Sequence, residues 1–235
     1  MKRCLVVLSG GQDSTTCLFW AKQVFDEVHA ITFNYGQRHD REIQSAVEVA
    51  KMANVVTHEI IDMPAILKGT SPLVNSEEQV ESYASADVLP RGLEKTFVPM
   101  RNMLFLTIAA NRAICLGITN LVTGVCQEDF GGYPDCRQTF IDATQKAIVE
   151  ALYLNPEDGE KFEIHTPLMD LTKKETVELA AAIPGCMRAL GWTHTCYNGD
   201  YPPCGHCHAC LLRERGFKDA GVLDPLVVRF EGDIK

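Results

Sequence analysis

Two groups of residues carry recognisable chemistry, and spacing defines both. The first is Ser9-Gly10-Gly11-Gln12-Asp13-Ser14, which follows the apolar run Leu5 to Leu8 and precedes a helix-like stretch. Adjacent glycines let a backbone turn tightly and bring its N–H groups close to a ligand, while the helix behind adds its positive end. The result is an anion cradle in which Ser9 and Ser14 donate hydroxyls and Asp13 holds a metal or caps the helix. The spaced glycine and terminal Gly-Lys-Ser/Thr of a Walker loop are absent, as is G-x-G-x-x-G. The second group is Cys196, Cys204, Cys207 and Cys210, spaced C-x7-C-x2-C-x2-C. Four thiolates match tetrahedral Zn2+ and fill its coordination, so no position is left for a reacting water and the expected role is structural. His206 or His208 in place of a cysteine, a nucleic-acid-binding zinc knuckle, and a Cys207/Cys210 redox pair are weaker alternatives. The redox pair leaves Cys196 and Cys204 without a purpose.

Further residues suit recognition of a nucleotide or a flat polar ring. Tyr35, Gln37, Arg38 and His39 lie in a polar run after a second apolar segment. The same run also reads as a helix-entry loop with Asp40 as N-cap. Arg101 and Asn102 open a long apolar helix, where an arginine opposes the helix dipole and a bound anion would offset the conflict. Gly124 to Arg137, with Gln127, Glu128, Asp129, Tyr133, Asp135 and Arg137, combines carboxylates, an aromatic and an arginine in a glycine-rich loop suited to a heterocycle. An ordinary surface loop is the weaker reading, given its position beyond the fourth strand. Lys173 can reach phosphates as a point charge, although a lone lysine is usually solvated. His29, His58, His165 and His194 sit in no motif and are expected to be structural.

The elements that must position these groups follow from hydrophobic periodicity. Leu5 to Leu8, Val28 to Phe33, Val55 to Ile61, Leu121 to Val125 and Ile164 to Thr166 read as strands. Ser14 to Lys22, Glu42 to Met52, Asn102 to Leu116, Gln138 to Leu154 and Lys173 to Ala182 read as helices, the last closing the regular part. This alternation predicts an α/β fold, a doubly wound, mostly parallel sheet whose ligands bind beyond the carboxyl ends of the strands. Met63 to Thr96 is too long for an ordinary connection and is equally a lid, a substrate loop or a passive insertion. A chain of 235 residues, 46% of them hydrophobic, supports one main domain, residues 1–185, with a small zinc-binding segment, 186–235, packed on it. The net charge of −9 disfavours a nucleic-acid partner and favours a small-molecule substrate. No run approaches the roughly 20 apolar residues of a membrane span, and no signal-peptide core follows Met1, so the expectation is a cytoplasmic protein with no membrane partner. Its ten cysteines are then better read as thiols and metal ligands than as disulfides.

Ser9 to Ser14 resembles the S-G-G-x-D-S signature of the PP-loop ATP pyrophosphatases. That loop is joined in order by Asn34 to His39 with Glu42, Pro99-Arg101-Asn102, Tyr133 to Arg137, Thr166-Pro167-Leu168 with Lys173, and the four cysteines. With these, the chain resembles the 7-cyano-7-deazaguanine synthase family nearly end to end. The resemblance implies an adenine nucleotide alpha hydrolase-like fold and ATP-dependent ligation of ammonia to 7-carboxy-7-deazaguanine in queuosine precursor biosynthesis. The acid and then the amide would be adenylated, releasing AMP and pyrophosphate and leaving a nitrile. By the family pattern Leu8, Ser9, Gly10, Gly11, Gln12, Asp13, Ser14 and Thr15 hold ATP, with Mg2+ on its phosphates. Asp13, Lys173 and Arg101 act in catalysis, and Tyr35, Gln37, Arg38, His39, Tyr133, Asp135 and Arg137 hold the deazapurine. The resemblance also implies a homodimer. Asn155 to Glu160 reads as a small insertion, and the Cys196–Cys204 spacing is slightly short for some relatives. Two rival readings are a PP-loop tRNA-modifying thiolase, with Cys126 and Cys136 as its pair, and a non-enzymatic zinc-containing nucleotide or nucleic-acid binder.

Overall fold

The computed structural model describes residues 1–233 except 39, 65, 76, 91, 128–131 and 155–160. His39, Glu128, Asp129, Gly131 and the expected insertion at 155–160 therefore lie outside the described residues. Five strands form one sheet in the order β3-β2-β1-β4-β5, namely His58–Asp62, Glu27–Asn34, Arg3–Val7, Asn120–Val122 and Glu163–His165. Every pairing is parallel, with Val6 opposite Ala30 on one side and Val122 on the other. The central strands are buried on both faces, which is why they read as continuous apolar runs.

Alternate residues along β1 feed two separate cores, as the two-residue period of a strand requires. Cys4 and Val6 pack with α1 (Gln12–Val24), α2 (Arg41–Ala53), α5 (Lys173–Ala182) and α6 (Cys186–Leu190). Leu5 joins the other core with α3 (Arg101–Cys115) and α4 (Gln138–Ala151). The chain runs from β1 outward to β2 and β3, then returns past β1 to β4. The point where the strand order reverses therefore lies between β1 and β4, the place where open α/β sheets bind ligands.

Three expectations need correction. The third strand begins at His58 rather than Val55, because Asn54 ends α2 in the left-handed conformation and Val55 to Thr57 lead into the sheet, the Val56 N–H donating to the Val28 carbonyl at 2.8 Å before the regular ladder starts. The fourth strand stops at Val122; the Thr123 N–H still donates to the His165 carbonyl at 3.0 Å, and the chain from Gly124 to Gln127 leaves the ladder. Regular structure does not close at Ala182: α6, α7 (His208–Asp219) and α8 (Pro225–Asp233) follow. Cysteines at its start and an interior glycine masked the helical spacing of α7. Leu190 and Phe217 belong to the same core as β1, and buried Arg213 ties α7 to the turn before α8 through two bonds to Asp224 at 2.6 and 2.8 Å. Among the described residues no helix is long and apolar enough to cross a membrane.

Candidate active site

The glycine pair sits where β1 hands over to α1. Gly10 adopts φ +86°, and a Cβ there would stand 2.2 Å from the Glu42 carbonyl oxygen and 2.7 Å from the Ala46 nitrogen, so only glycine turns here against the start of α2. Gly11 occupies the N-cap of α1, and among the described residues no side chain caps that helix. Its first N–H groups, with the positive end of the helix dipole, are thus left to a ligand. The loop itself is held by its serines. The Ser9 N–H donates to Ser14 Oγ at 3.1 Å, the two hydroxyl oxygens are 3.0 Å apart, and the Gly11 N–H donates to Ser9 Oγ at 3.3 Å.

In the first turn of α1, Asp13 meets Lys173. Lys173 Nζ donates to Asp13 Oδ2 at 2.7 Å, with both side chains largely buried. Lys173 is the first residue of α5, whose start is fixed by a capping box between Thr172 and Glu175. The other Asp13 oxygen, Oδ1, and Gln12 Nε2 are buried without a hydrogen-bond partner among the described residues. Buried polar atoms are ordinarily paired, so these two mark where a ligand's donors and acceptors belong. The combination suits ATP phosphates and a divalent cation.

This corner opens into a cavity of about 250 Å3. Leu8, Ser9, Gly11, Gln12, Asp13, Ser14, Tyr35, Gln37, Arg38, Arg101, Tyr133 and Lys173 all line it. Gly10 lies behind the wall, and Thr15 is fully buried in α1. Asp135 and Arg137 also lie outside the lining. Asp135 instead receives the Asn102 N–H at 3.4 Å and, on its carbonyl, the Asn102 amide at 3.0 Å, pinning the 3-10 turn Pro134–Cys136 to the start of α3. Arg137 donates back to the Gly132 carbonyl at 3.3 Å. The walls are aromatic: Phe33 stacks on Phe105 with centroids 4.4 Å apart, Tyr35 leans on Phe105 at 5.2 Å, and Tyr197 joins the lining. Glu42 faces the same space. Burial pushes its carboxyl up to about 7, with Arg101 opposing the shift.

Beyond the cavity the four predicted cysteines converge, their sulfurs all within 4.8 Å of one another. The Cys207 and Cys210 thiols donate to Cys196 and hold it well below the ordinary thiol range. Such a closed set of four sulfurs fits Zn2+ and gives His206 and His208 no place as ligands. Cys126 and Cys136 are buried, and desolvation pushes the Cys136 thiol up to about 12.

Residues 3–221 match the family described as queuosine biosynthesis protein QueC. The chain belongs to that family. It is 54% identical over 228 residues to a 7-cyano-7-deazaguanine synthase of Gloeobacter violaceus, covering 96% of each chain. Proteins of the same name from Chromobacterium violaceum and Laribacter hongkongensis are 48% and 47% identical, over 99% and 98% of this chain and 96% of each relative. Among solved structures, a 4-thiouridine synthetase–RNA complex with bound ATP aligns at 15% identity and a TM-score of 0.48, covering 98% of this chain and 53% of that one.

Within this QueC chain, sequence reasoning missed several lining residues. His194, expected to be structural, lines the cavity while its N–H donates to the Gly10 carbonyl at 3.0 Å. Tyr197, one residue past the first cysteine of the cluster, and His208, one past the third, face the same space. Their adjacency to those cysteines was the available signal. Leu73 brings the 63–96 segment into the wall, and Phe33 and Phe105 had read only as core.

Proposed function

We propose that this protein is an ATP-dependent ligase that converts 7-carboxy-7-deazaguanine and ammonia into 7-cyano-7-deazaguanine. One observation carries the reading: the uncapped phosphate loop with its Asp13–Lys173 pair and the aromatic recess of Phe33, Tyr35, Phe105 and Tyr133 are parts of a single cavity. A triphosphate on the loop then lies within reach of a flat heterocycle held between the rings. A carboxylate oxygen is a poor leaving group. Transfer of AMP to it, with release of pyrophosphate, lets ammonia displace AMP and form the amide. The same transfer to the amide oxygen permits loss of AMP and two protons, which leaves the nitrile.

The chain's own groups contribute position and charge rather than a covalent nucleophile. The first N–H groups of α1, with Ser9 and Ser14, would bind the phosphates. Lys173 would compensate negative charge developing on the departing pyrophosphate, and Arg101 would meet the α-phosphate or the carboxylate. Mg2+ would sit at the free oxygen of Asp13 and offset phosphate charge. Tyr35, Gln37, Arg38 and Tyr133 would hold the ring, with His39 among them. Asp135 and Arg137 would shape the turn that carries Tyr133. Two copies of the chain would form the working homodimer. Against the thiolase reading stands the high Cys136 thiol, which is mostly protonated and a poor sulfur carrier near neutral pH.

Incubation with ATP, Mg2+, ammonium and the deazapurine acid, followed by mass spectrometry, is expected to show AMP and nitrile in a ratio of two to one. Zinc-loaded, folded protein that yields neither would remove this reading. Asp13→Asn is expected to lose turnover by at least about a hundredfold while retaining zinc. Equal loss of zinc would assign Asp13 to folding instead.

A further inference from the structure

The segment between β3 and α3 is fastened to the zinc-binding region at several points. The Tyr83 N–H donates to the His206 carbonyl at 2.9 Å, Arg215 of α7 pairs with Asp87 at 2.5 Å, and the buried Glu94 carboxyl lies against the buried His208 ring. Glu94 is the unusual member. Its side chain is 2% exposed, and a carboxylate so placed is costly unless its oxygens are committed to partners. One oxygen faces His208, the residue after the ligand Cys207. The other accepts the Thr96 hydroxyl at 3.0 Å. That hydroxyl lies 2.5 Å from the Tyr133 hydroxyl. Thr96 has one proton and gives it to Glu94, so the Tyr133 hydroxyl donates to Thr96. The Tyr133 ring, packed at 5.4 Å against Phe97, forms a wall of the cavity.

We infer that Glu94 is a positioning residue: through Thr96 on one side and His208 on the other, it makes the set of the Tyr133 wall depend on the zinc-binding segment. This rests on Tyr133 holding the heterocycle. The relay touches the ring side of the cavity, whereas the phosphate loop is held by its own serines and by Lys173. Its loss therefore weakens one substrate selectively. Thr96→Val removes the hydroxyl at nearly constant volume, and Glu94→Gln removes the charge.

Thr96→Val is expected to raise KM for the deazapurine acid about tenfold, the loss of one buried hydrogen bond, and Glu94→Gln, which keeps an oxygen for the Thr96 hydroxyl but loses the charge facing His208, to raise it less, with KM for ATP and zinc content unchanged in both. Thr96→Ser, which keeps the hydroxyl, restores the ordinary KM. In hydrogen–deuterium exchange, amides around the Pro134–Cys136 turn exchange faster in Thr96→Val than in Thr96→Ser. Equal shifts in both KM values, or exchange at that turn no faster than in the parent protein, would overturn the inference. The exchange measurement keeps it testable apart from activity: a parent protein that makes no nitrile refutes the proposed reaction, while the exchange result still decides the relay.

Discussion

Glu42 shows how the same side chain can be ordinary in sequence and unusual in place. It stands in the first turn of α2, where an acidic residue suits the helix dipole. Its carboxyl, however, faces the cavity beside Arg101, and burial raises it from 4.5 to about 7. A raised folded-state value means that the folded chain holds the proton more tightly than the unfolded chain. The contribution is fully present below about pH 4.5 and lost as pH rises to about 7. Glu42→Gln carries no such penalty. Its melting temperature relative to the parent is expected to rise by several degrees between pH 4.5 and pH 7 and to stay level above that. Melting curves of the ligand-free protein across that range check this, and a pH-independent difference would mean that Glu42 is not desolvated. Such a group is illegible in sequence, because its value depends on what folds over it. The phosphate loop was legible residue by residue because backbone turn and helix start are local.

At the scale of elements, strands and helices up to α5 were readable because each has one dominant period. What failed was the region where another constraint overrode periodicity. In α7, Cys207 and Cys210 and an interior glycine obscured a helix that packs closely on α5. That glycine has a purpose visible only in three dimensions. A Cβ at Gly216 would lie 2.9 Å from Lys173 Cβ and 3.1 Å from its carbonyl oxygen. In an isolated helix, replacing glycine by alanine stabilises by about 1 kcal/mol. Here the overpacking cost of about 1–3 kcal/mol exceeds that gain, and the displaced backbone belongs to the residue that pairs with Asp13. Gly216→Ala is therefore expected to lower both melting temperature and kcat, the latter by about tenfold or more. A more stable, fully active variant would show that α5 and α7 separate without cost.

For the whole molecule, the question is whether the division at residue 185 is one of folding or only of composition. The sequence favours a main domain with an appended zinc segment, since the cysteines crowd one end. Packing argues for tighter union. Cys186, Ala189, Leu190 and Phe217 lie in the core of β1, and among the described residues the four-cysteine cluster has only a few buried neighbours of its own. A segment of this kind lacks the apolar area to fold alone, so metal binding there is folding free energy for the chain as a whole. Chelation of zinc is then expected to leave a single unfolding transition, lowered by more than about 10 °C, rather than melting the tail and sparing the rest. Differential scanning calorimetry with and without chelator distinguishes the two. Two separated transitions, the larger at its original temperature, would make 186–235 an appendage. One lowered transition would mean that the cysteines, remote in sequence from the phosphate loop, help hold the sheet that carries it.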